Sequence, residues 1–153
     1  MIKLEKVTEK TFKKILSLKV TKEQEAYVSS NLVSLAQAWL YYEHARPLAI
    51  LLDEEPIGFM MLDWDEKERT VGIWRMMIDA QYQGKGYGKK ALQILIEQIK
   101  QDNKFDLVNL SIVPENQAAR NLYRSLGFKE TGEIDDEEEI MVLPLTEGKE
   151  AIK

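Results

Sequence analysis

The sequence contains the glycine-rich stretch Gln83-Gly84-Lys85-Gly86-Tyr87-Gly88, which follows an apolar run and precedes an amphipathic segment. Glycines at alternate positions let the main chain approach a ligand closely, and free amides at the start of a helix attract anions. Lys85, Lys89 and Lys90 add positive charge at this point. The stretch therefore predicts a strand, an anion-binding turn and a helix, in that order, with a phosphate group as the ligand.

Other glycine-rich phosphate loops fit this stretch less well. A dinucleotide-binding turn has the spacing Gly-x-Gly-x-x-Gly after the first strand of a βαβ unit, whereas several strands come first here. A Walker loop ends in Gly-Lys-Ser or Gly-Lys-Thr, and Gly88-Lys89-Lys90 lacks the hydroxyl. A tight turn that needs glycine for its geometry alone is the remaining alternative.

Before the turn, hydrophobic periodicity predicts a strand, a helical region and three strands in succession. Two capping-box patterns, Thr21-Lys22-Glu23-Gln24 and Ser34-Leu35-Ala36-Gln37, mark the predicted starts of short helices. The predicted strands are residues 2–7, 47–52, 57–64 and 71–78, and the predicted helices lie around Phe12, Ile15 and Leu16 and near residues 22–30 and 34–43.

After the turn, the pattern predicts two helices and three strands. The first helix carries an apolar stripe, and Asn116 and Gly127 are placed to cap the start and the end of the second. The acidic run 135–139 is interpreted as a solvated hairpin loop. The stripe is Ala91, Leu92, Leu95, Ile96 and Ile99, and the strands are residues 106–113, 128–134 and 140–145. The architecture predicted from these elements is mixed α/β with one sheet.

Length and composition indicate one ordinary globular domain. The chain has 153 residues, of which 44% are hydrophobic and 31% charged, a balance typical of a folded domain with its own core. We expect a single domain over residues 1–145 and a polar tail over residues 146–153. No run approaches the ~18 apolar residues of a membrane span, and the charged start of the chain lacks the apolar region of a signal peptide. We therefore expect a cytoplasmic protein with no membrane partner.

The titratable residues exclude several kinds of site. The sequence has no cysteine, which excludes disulfides, thiolate zinc sites and a cysteine nucleophile. The single histidine, His44, does not provide a multi-histidine metal site, and we predict no metal centre. A net charge of −5 disfavours a nucleic-acid partner and favours a cationic one.

Two segments of the chain resemble the signature segments of the GNAT acetyltransferase superfamily. The first is residues 78–89, which contain the glycine-rich stretch, and the second is Asn116-Gln117-Ala118-Ala119-Arg120-Asn121-Leu122-Tyr123-Arg124-Ser125-Leu126-Gly127-Phe128. The resemblance implies a single mixed, mostly antiparallel, twisted sheet of about six to seven strands flanked by helices. It also implies acetyl-CoA as co-substrate and transfer of the acetyl group to a primary amine, by direct attack in a ternary complex.

The resemblance also implies roles for individual residues. Backbone groups of residues 76–78 would bind the pantetheine arm and the thioester carbonyl, amides of residues 84–89 would hold the pyrophosphate, and Asn116 would contact the coenzyme. Tyr123 would be catalytic, donating a proton to the departing thiolate, although a tyrosine at this helical spacing also fits a core residue. The coenzyme-binding residues implied are Met76, Met77, Ile78, Gln83, Gly84, Lys85, Gly86, Tyr87, Gly88, Lys89 and Asn116.

The run Met76-Met77-Ile78 breaks the alternation of a half-buried strand. A β-bulge in that strand would cause this break, and the resemblance implies that two parallel strands separate there to admit the coenzyme. A strand buried on both faces explains the same run equally well.

The N-terminal half resembles a narrower group, the bacterial spermine/spermidine (diamine) N-acetyltransferases, over residues 18–31 and 34–38. This resemblance implies a polyamine or diamine acceptor. A protein N-terminus or an aminoglycoside amine is the alternative acceptor, and a non-catalytic acyl-CoA-binding regulatory module is the alternative of another class. Relatives in this group often carry an acid where this chain has Trp74, so either the general base lies elsewhere or the substrate differs.

A polyamine site requires carboxylates for its ammonium groups and an aromatic or apolar wall for its methylenes. Many residues meet this requirement, and the sequence assigns none of them. The candidates are Glu23, Glu25, Glu43, Asp63 and Asp65, together with Tyr27, Trp39, Tyr41, Tyr42 and Trp64. Exposed strand edges in such a fold are compatible with a homodimer.

Overall fold

The computed structural model describes residues 1–145, so the predicted tail 146–153 lies outside the described residues. The described chain forms seven strands, four α-helices and two short 3-10 helices. In chain order these are β1 (Ile2–Lys6), α1 (Glu9–Ser17), a 3-10 helix (Lys22–Ala26), α2 (Asn31–Leu40), β2 (Ala45–Leu52), β3 (Glu55–Asp65), β4 (Thr70–Ile78), a 3-10 helix (Ala80–Tyr82), α3 (Tyr87–Asp102), β5 (Leu107–Ile112), α4 (Gln117–Ser125), β6 (Lys129–Asp135) and β7 (Glu138–Pro144).

All seven strands belong to one sheet with the order β1-β2-β3-β4-β5-β7-β6. Neighbouring strands of the described chain are antiparallel except β4 and β5, which run parallel and are connected through α3. The predicted fold class, a mixed and mostly antiparallel sheet flanked by helices, is confirmed. None of the helices formed by residues 1–145 has the length and apolar composition that a bilayer crossing requires.

The predicted start of α2 is wrong by three residues. The helix begins at Asn31, and the Ser30 hydroxyl caps it by accepting a hydrogen bond from the Val33 amide at 3.2 Å. Ser34, the predicted cap, is fully buried one turn inside the helix. Serine favours caps because its side chain can replace a missing main-chain partner, and two serines four residues apart compete for that place in the sequence.

The predicted helix over residues 22–30 is only a 3-10 helix that ends at Ala26. Its first turn is nevertheless held as the capping pattern predicts, because the Gln24 side-chain oxygen accepts a hydrogen bond from the Thr21 amide at 3.2 Å. Short 3-10 helices serve mainly as connectors, and this one leads the chain toward the edge of the central cleft described below.

Side chains on the two faces of the sheet form two apolar clusters. On β3, Met60 and Leu62 pack into the cluster beneath α3, whereas Phe59 and Met61 pack into the cluster beneath α1. This alternation follows from the two-residue period of a strand. The predicted α3 stripe is confirmed, since its members are all buried in the first cluster: Ala91, Leu92, Leu95, Ile96 and Ile99.

Gly58 on β3 allows an unusually close approach between β3 and β4. A methyl group at this position would lie 2.6 Å from the Met77 carbonyl oxygen and 2.8 Å from the Ile78 side chain. Residues 76–78 belong to the stretch that the resemblance assigns to the coenzyme. The position of that stretch therefore depends on the absence of a side chain on the neighbouring strand.

We expect Gly58→Ala to destabilise the protein by about 1–3 kcal/mol, because the added methyl overpacks the β3–β4 interface. Gly88→Ala is the matched control, since its methyl would meet Ile78 and Met76 at ordinary contact distances of 3.5 and 3.7 Å. Alanine is a better helix former than glycine by up to about 1 kcal/mol, so this control keeps or raises stability. Thermal unfolding of both variants without ligand measures the difference, and equal melting temperatures would contradict the overpacking.

Candidate active site

The sheet opens between its two parallel strands. β4 and β5 are paired from Thr70 and Leu107 up to Ile73 and Leu110, but not beyond that point within residues 1–145. β4 continues to Ile78 along β3. The edge of β4 that faces β5 therefore carries main-chain groups without a strand partner after Ile73, and such groups are available to a ligand.

A β-bulge in β4 marks the start of this opening. Met61 of β3 pairs with Arg75, whereas its neighbour Leu62 pairs with Ile73, so Trp74 is the extra residue on β4. The bulge lies just before the run Met76-Met77-Ile78, whose broken alternation suggested it. Met77 is buried, whereas Met76 and Ile78 are only half-buried, which disfavours the alternative of a strand buried on both faces.

The glycine-rich turn lies at the end of β4 and leads directly into α3. Gly84 and Gly86 have φ angles of +77° and +83°, a backbone conformation that favours glycine, and a methyl group on either would meet no atom within 4 Å. Gly86 is the N-cap of α3 and offers no side chain to the amides of the first turn. These open amides, together with Lys89 at the cleft, fit an anionic phosphate group.

A cleft of about 310 Å³ runs from the turn to the opened edge of β4. It brings together the residues that the resemblance implies for the coenzyme, except Lys85, which is exposed and does not line the cleft. The implied residues that line it are Met76, Met77, Ile78, Gln83, Gly84, Gly86, Tyr87, Gly88, Lys89, Asn116 and Tyr123. The structure thus offers a continuous space from helix amides to free strand edge, which fits a long ligand with a phosphate group partway along it.

Two of these residues also have structural partners. The Gln83 side-chain amide donates to the Ile78 carbonyl and to the Gln24 side-chain oxygen, both at 2.8 Å, which fixes the turn against β4 and the 3-10 helix. The Asn116 side-chain oxygen caps α4 by accepting a hydrogen bond from the Ala119 amide at 3.2 Å.

Tyr123 projects from α4 toward the opening. It is 7% exposed, and its ring packs edge-on against Phe128 with the centroids 5.4 Å apart. Burial raises the pKa of its hydroxyl to about 12, because the phenolate is disfavoured away from water. The hydroxyl therefore remains protonated throughout the physiological pH range and is a proton donor held beside the cleft.

A second, smaller cavity of about 290 Å³ occupies the opening itself, and we call it the junction. We call the cleft of about 310 Å³ the coenzyme-side cleft, after the ligand that the resemblance implies, and Tyr123, Asn116 and Met76 line both it and the junction. Ile73 and Trp74 line both the junction and a third cavity, beyond the bulge. The junction therefore connects two spaces that share no lining residues with each other.

The third cavity is a groove of about 770 Å³ with acidic and aromatic walls, and we call it the acidic groove. Five of the candidates suggested by the sequence line it, namely Glu43, Asp63, Asp65, Tyr41 and Tyr42. Trp74 adds a further ring, which contacts the Tyr41 ring with the centroids 5.7 Å apart.

The other candidates suggested by the sequence lie elsewhere. Trp64 packs against Phe105 with the ring centroids 4.6 Å apart, Trp39 is largely exposed, and Tyr27 lines the junction and the coenzyme-side cleft. Glu25 lines a separate pocket near α1.

The predicted hairpin at residues 135–139 is present and its tip is exposed, but the loop is shorter than predicted. The turn consists only of Asp136 and Glu137, both with positive φ, whereas Asp135 lines the acidic groove and Glu138 lines the junction. In a run of five acids, the sequence does not show which residues form the turn and which belong to the strands, where Glu138 and Glu139 are half-buried. A two-residue turn at Asp136 and Glu137, combined with the alternating faces of β7, is the pattern from which the roles of the five acids could have been distinguished.

Arg75 is a charged residue of the junction that the sequence analysis did not consider. Its guanidinium donates to the Gln37 side-chain oxygen at 2.9 Å and to the Trp74 carbonyl at 3.0 Å. Burial lowers the pKa of Arg75 below its ordinary value, while the negative charge of Glu138 acts in the opposite direction. The junction therefore contains a half-buried cation facing a carboxylate.

The chain matches the model of the acetyltransferase (GNAT) family over residues 10–128. It is 35% identical to a spermine/spermidine N(1)-acetyltransferase of Bacillus subtilis strain 168, over 94% of this chain and 99% of that relative. Solved structures share the fold. A spermidine N-acetyltransferase from Vibrio cholerae in complex with CoA and spermine has a TM-score of 0.76 and 17% identity, over 95% of this chain and 96% of that one. Aminoglycoside acetyltransferase AAC(6')-Ib in complex with coenzyme A has a TM-score of 0.77 and 20% identity, over 98% of this chain and 99% of that one.

We expect Gly86→Ala to weaken acetyl-CoA binding, because its methyl would enter the open space above the helix amides. The substitution also strains a left-handed residue by about 1–2 kcal/mol. Gly132→Ala on β6 is the matched control, since Gly132 has a φ of +81° and equally open surroundings but lies outside the cleft. Calorimetric titration with acetyl-CoA should separate the variants, which should lose similar stability. Equal affinities would remove the turn from the binding site.

Proposed function

Because this chain belongs to the acetyltransferase (GNAT) family, we propose that it transfers the acetyl group of acetyl-CoA to a polyamine or diamine such as spermine or spermidine. Family membership makes the chain an acetyl-CoA-dependent N-acetyltransferase that acts on amines. The identity of the amine and the roles of individual residues are the parts that we propose.

The acidic groove is the observation that carries the polyamine assignment. Its carboxylates, Glu43, Asp63, Asp65 and Asp135, lie around aromatic rings in a protein of net charge −5. A polyamine combines several ammonium groups with apolar methylenes, and this groove offers a complement to both. The similarity to a spermine/spermidine acetyltransferase over nearly the whole of both chains supports the same acceptor.

The coenzyme occupies the cleft on the other side of the junction. Amides of the turn and of the first turn of α3 hold its pyrophosphate, with Lys89 nearby, and the free edge of β4 binds the pantetheine arm through residues 76–78. The thioester supplies an electrophilic carbonyl carbon and a thiolate leaving group. Binding two reactants from two spaces that meet only at the junction orients them for direct attack in a ternary complex.

Tyr123 is the general acid in this proposal. It lines both the junction and the coenzyme-side cleft, and its hydroxyl remains protonated at neutral pH. The thiolate that leaves the coenzyme needs a proton, and a neutral hydroxyl fixed beside it can supply one. Asn116 fixes the start of the helix that carries this tyrosine.

We expect spermine and spermidine to be the best substrates in a panel that includes short diamines, peptides and aminoglycosides. In the double variant Glu43→Gln/Asp63→Asn, the KM for spermine should rise about 2- to 30-fold, since each exposed ion pair is worth about 0.2–1 kcal/mol. A monoamine such as butylamine should be affected little, because it lacks the distal ammonium. Glu23→Gln, which changes an exposed acid outside the groove, is the control variant. If an aminoglycoside or a peptide N-terminus were the preferred substrate in this panel, the polyamine assignment would be wrong.

We expect Tyr123→Phe to lower kcat by about 100-fold or more, as removal of a general acid does, with little change in acetyl-CoA affinity. In a spectroscopic titration, the difference in phenolate absorbance between the wild type and the variant reports on Tyr123, and it should appear only near pH 12. Because the ordinary tyrosine pKa is about 10, the buried hydroxyl contributes stability that is present below pH 10 and lost as the pH rises through 12. Unchanged turnover in the variant would remove Tyr123 from the chemistry.

A further inference from the structure

The junction contains a carboxylate as well as the Tyr123 hydroxyl. Among the residues that the structure describes, Glu138 is the sole acid that lines this cavity. The acids of the groove, including Asp63 and Asp65, line the adjoining space and not the junction. His44 also lines the groove, where its Nδ1 lies 3.1 Å from the Trp64 carbonyl oxygen. Glu138 is therefore the acid that lines the space in which the amine and the thioester must meet.

The position of Glu138 at the junction is set by its own contact with β5 and by an ion pair of its chain neighbour Glu139. Its carboxylate accepts a long hydrogen bond, 3.4 Å, from the Ser111 hydroxyl on β5. The next residue, Glu139, forms an ion pair with Arg120 of α4 at 2.5 Å, and Arg120 also donates to the Pro114 carbonyl at 3.0 Å. α4 carries Tyr123, so this ion pair connects the strand of the carboxylate to the helix of the proton donor.

We propose that Glu138 is the general base of the reaction, accepting the proton that the amine nitrogen loses as it is acetylated. It lies on β7, whereas the residues of β4 that line the junction, including Trp74 and Arg75, provide no acid. The inference rests on acetyl transfer to an amine and not on the amine being a polyamine.

The proton and bond changes balance with these two side chains and solvent. The amine reaches the junction after its ammonium form has lost one proton to solvent. Its lone pair forms the carbon–nitrogen bond, and the carbon–sulfur bond breaks with its electrons going to sulfur. Nitrogen loses one proton to the Glu138 carboxylate, and sulfur gains one from the Tyr123 hydroxyl. The proton on Glu138 then returns to the Tyr123 oxygen through solvent, which restores both groups.

The charges that face Glu138 suit this role. Arg75 of β4 is the cation of the junction, and Tyr27 and Tyr123 are its other titratable side chains, besides Glu138. Asp135 lies opposite Glu138 in the pairing of β6 with β7. The Arg75 guanidinium, already held by Gln37, repels an ammonium group that enters the junction. The charge of Arg75 therefore acts toward the neutral form of the amine, which is the form that must attack.

The test compares Glu138→Gln with Glu137→Gln, which removes the same charge from the exposed turn one residue away. Both are assayed with the best acceptor of the amine panel, so that a wrong choice of polyamine leaves the test intact. We expect Glu138→Gln to lower kcat by about 100-fold or more, with little change in the KM for the amine or the affinity for acetyl-CoA. Glu137→Gln should behave as wild type.

Two further measurements separate a base from a residue that only positions the amine. The kcat of Glu138→Gln should keep rising at pH values where the wild-type kcat has levelled, because hydroxide replaces the missing base. Added formate should restore part of the turnover of Glu138→Ala. Wild-type turnover in Glu138→Gln, a loss confined to the KM for the amine, or no effect of formate would each overturn the assignment.

Discussion

The incomplete hydrogen bonding between β4 and β5 is the constraint on which the rest of this structure depends. A buried strand normally satisfies both of its edges, and an unsatisfied amide or carbonyl costs free energy. Here the pairing stops at Ile73, and the bulge at Trp74 turns the strand away. The opening remains because β4 is supported on its other edge by β3, where Gly58 lets the two strands approach closely.

The open edge organises three spaces in a row. The coenzyme-side cleft begins at the helix amides and ends at Tyr123, the junction follows, and the acidic groove lies beyond Trp74. The side chains for which we propose a chemical role come from three different elements: Tyr123 from α4, Glu138 from β7 and Arg75 from β4. The Arg120–Glu139 ion pair and the Gln83 hydrogen bonds hold those elements together around the opening.

Much of the fold could be predicted from the sequence because it depends on local patterns. The apolar stripe of α3, the alternation of the strands and the glycines of the turn each reflect one period or one backbone conformation. The start of α2 was missed because Ser30 and Ser34 are chemically equivalent caps, and only tertiary packing buries the second. The junction could not be predicted in full, because the contact of Glu138 with Ser111 joins residues that only the sheet order brings together.

The acidic groove and the coenzyme-side cleft have no lining residue in common. A substitution in the lining of one of these spaces therefore changes no residue that lines the other. If the proposed function is taken as the premise, selection for a new amine can act on residues 40–44, 63, 65 and 135 while the acyl-donor half stays under its own, separate selection. Divergence among descendants of such a scaffold should concentrate on one side of the bulge, and a protein engineer can retarget the enzyme by working on that side alone.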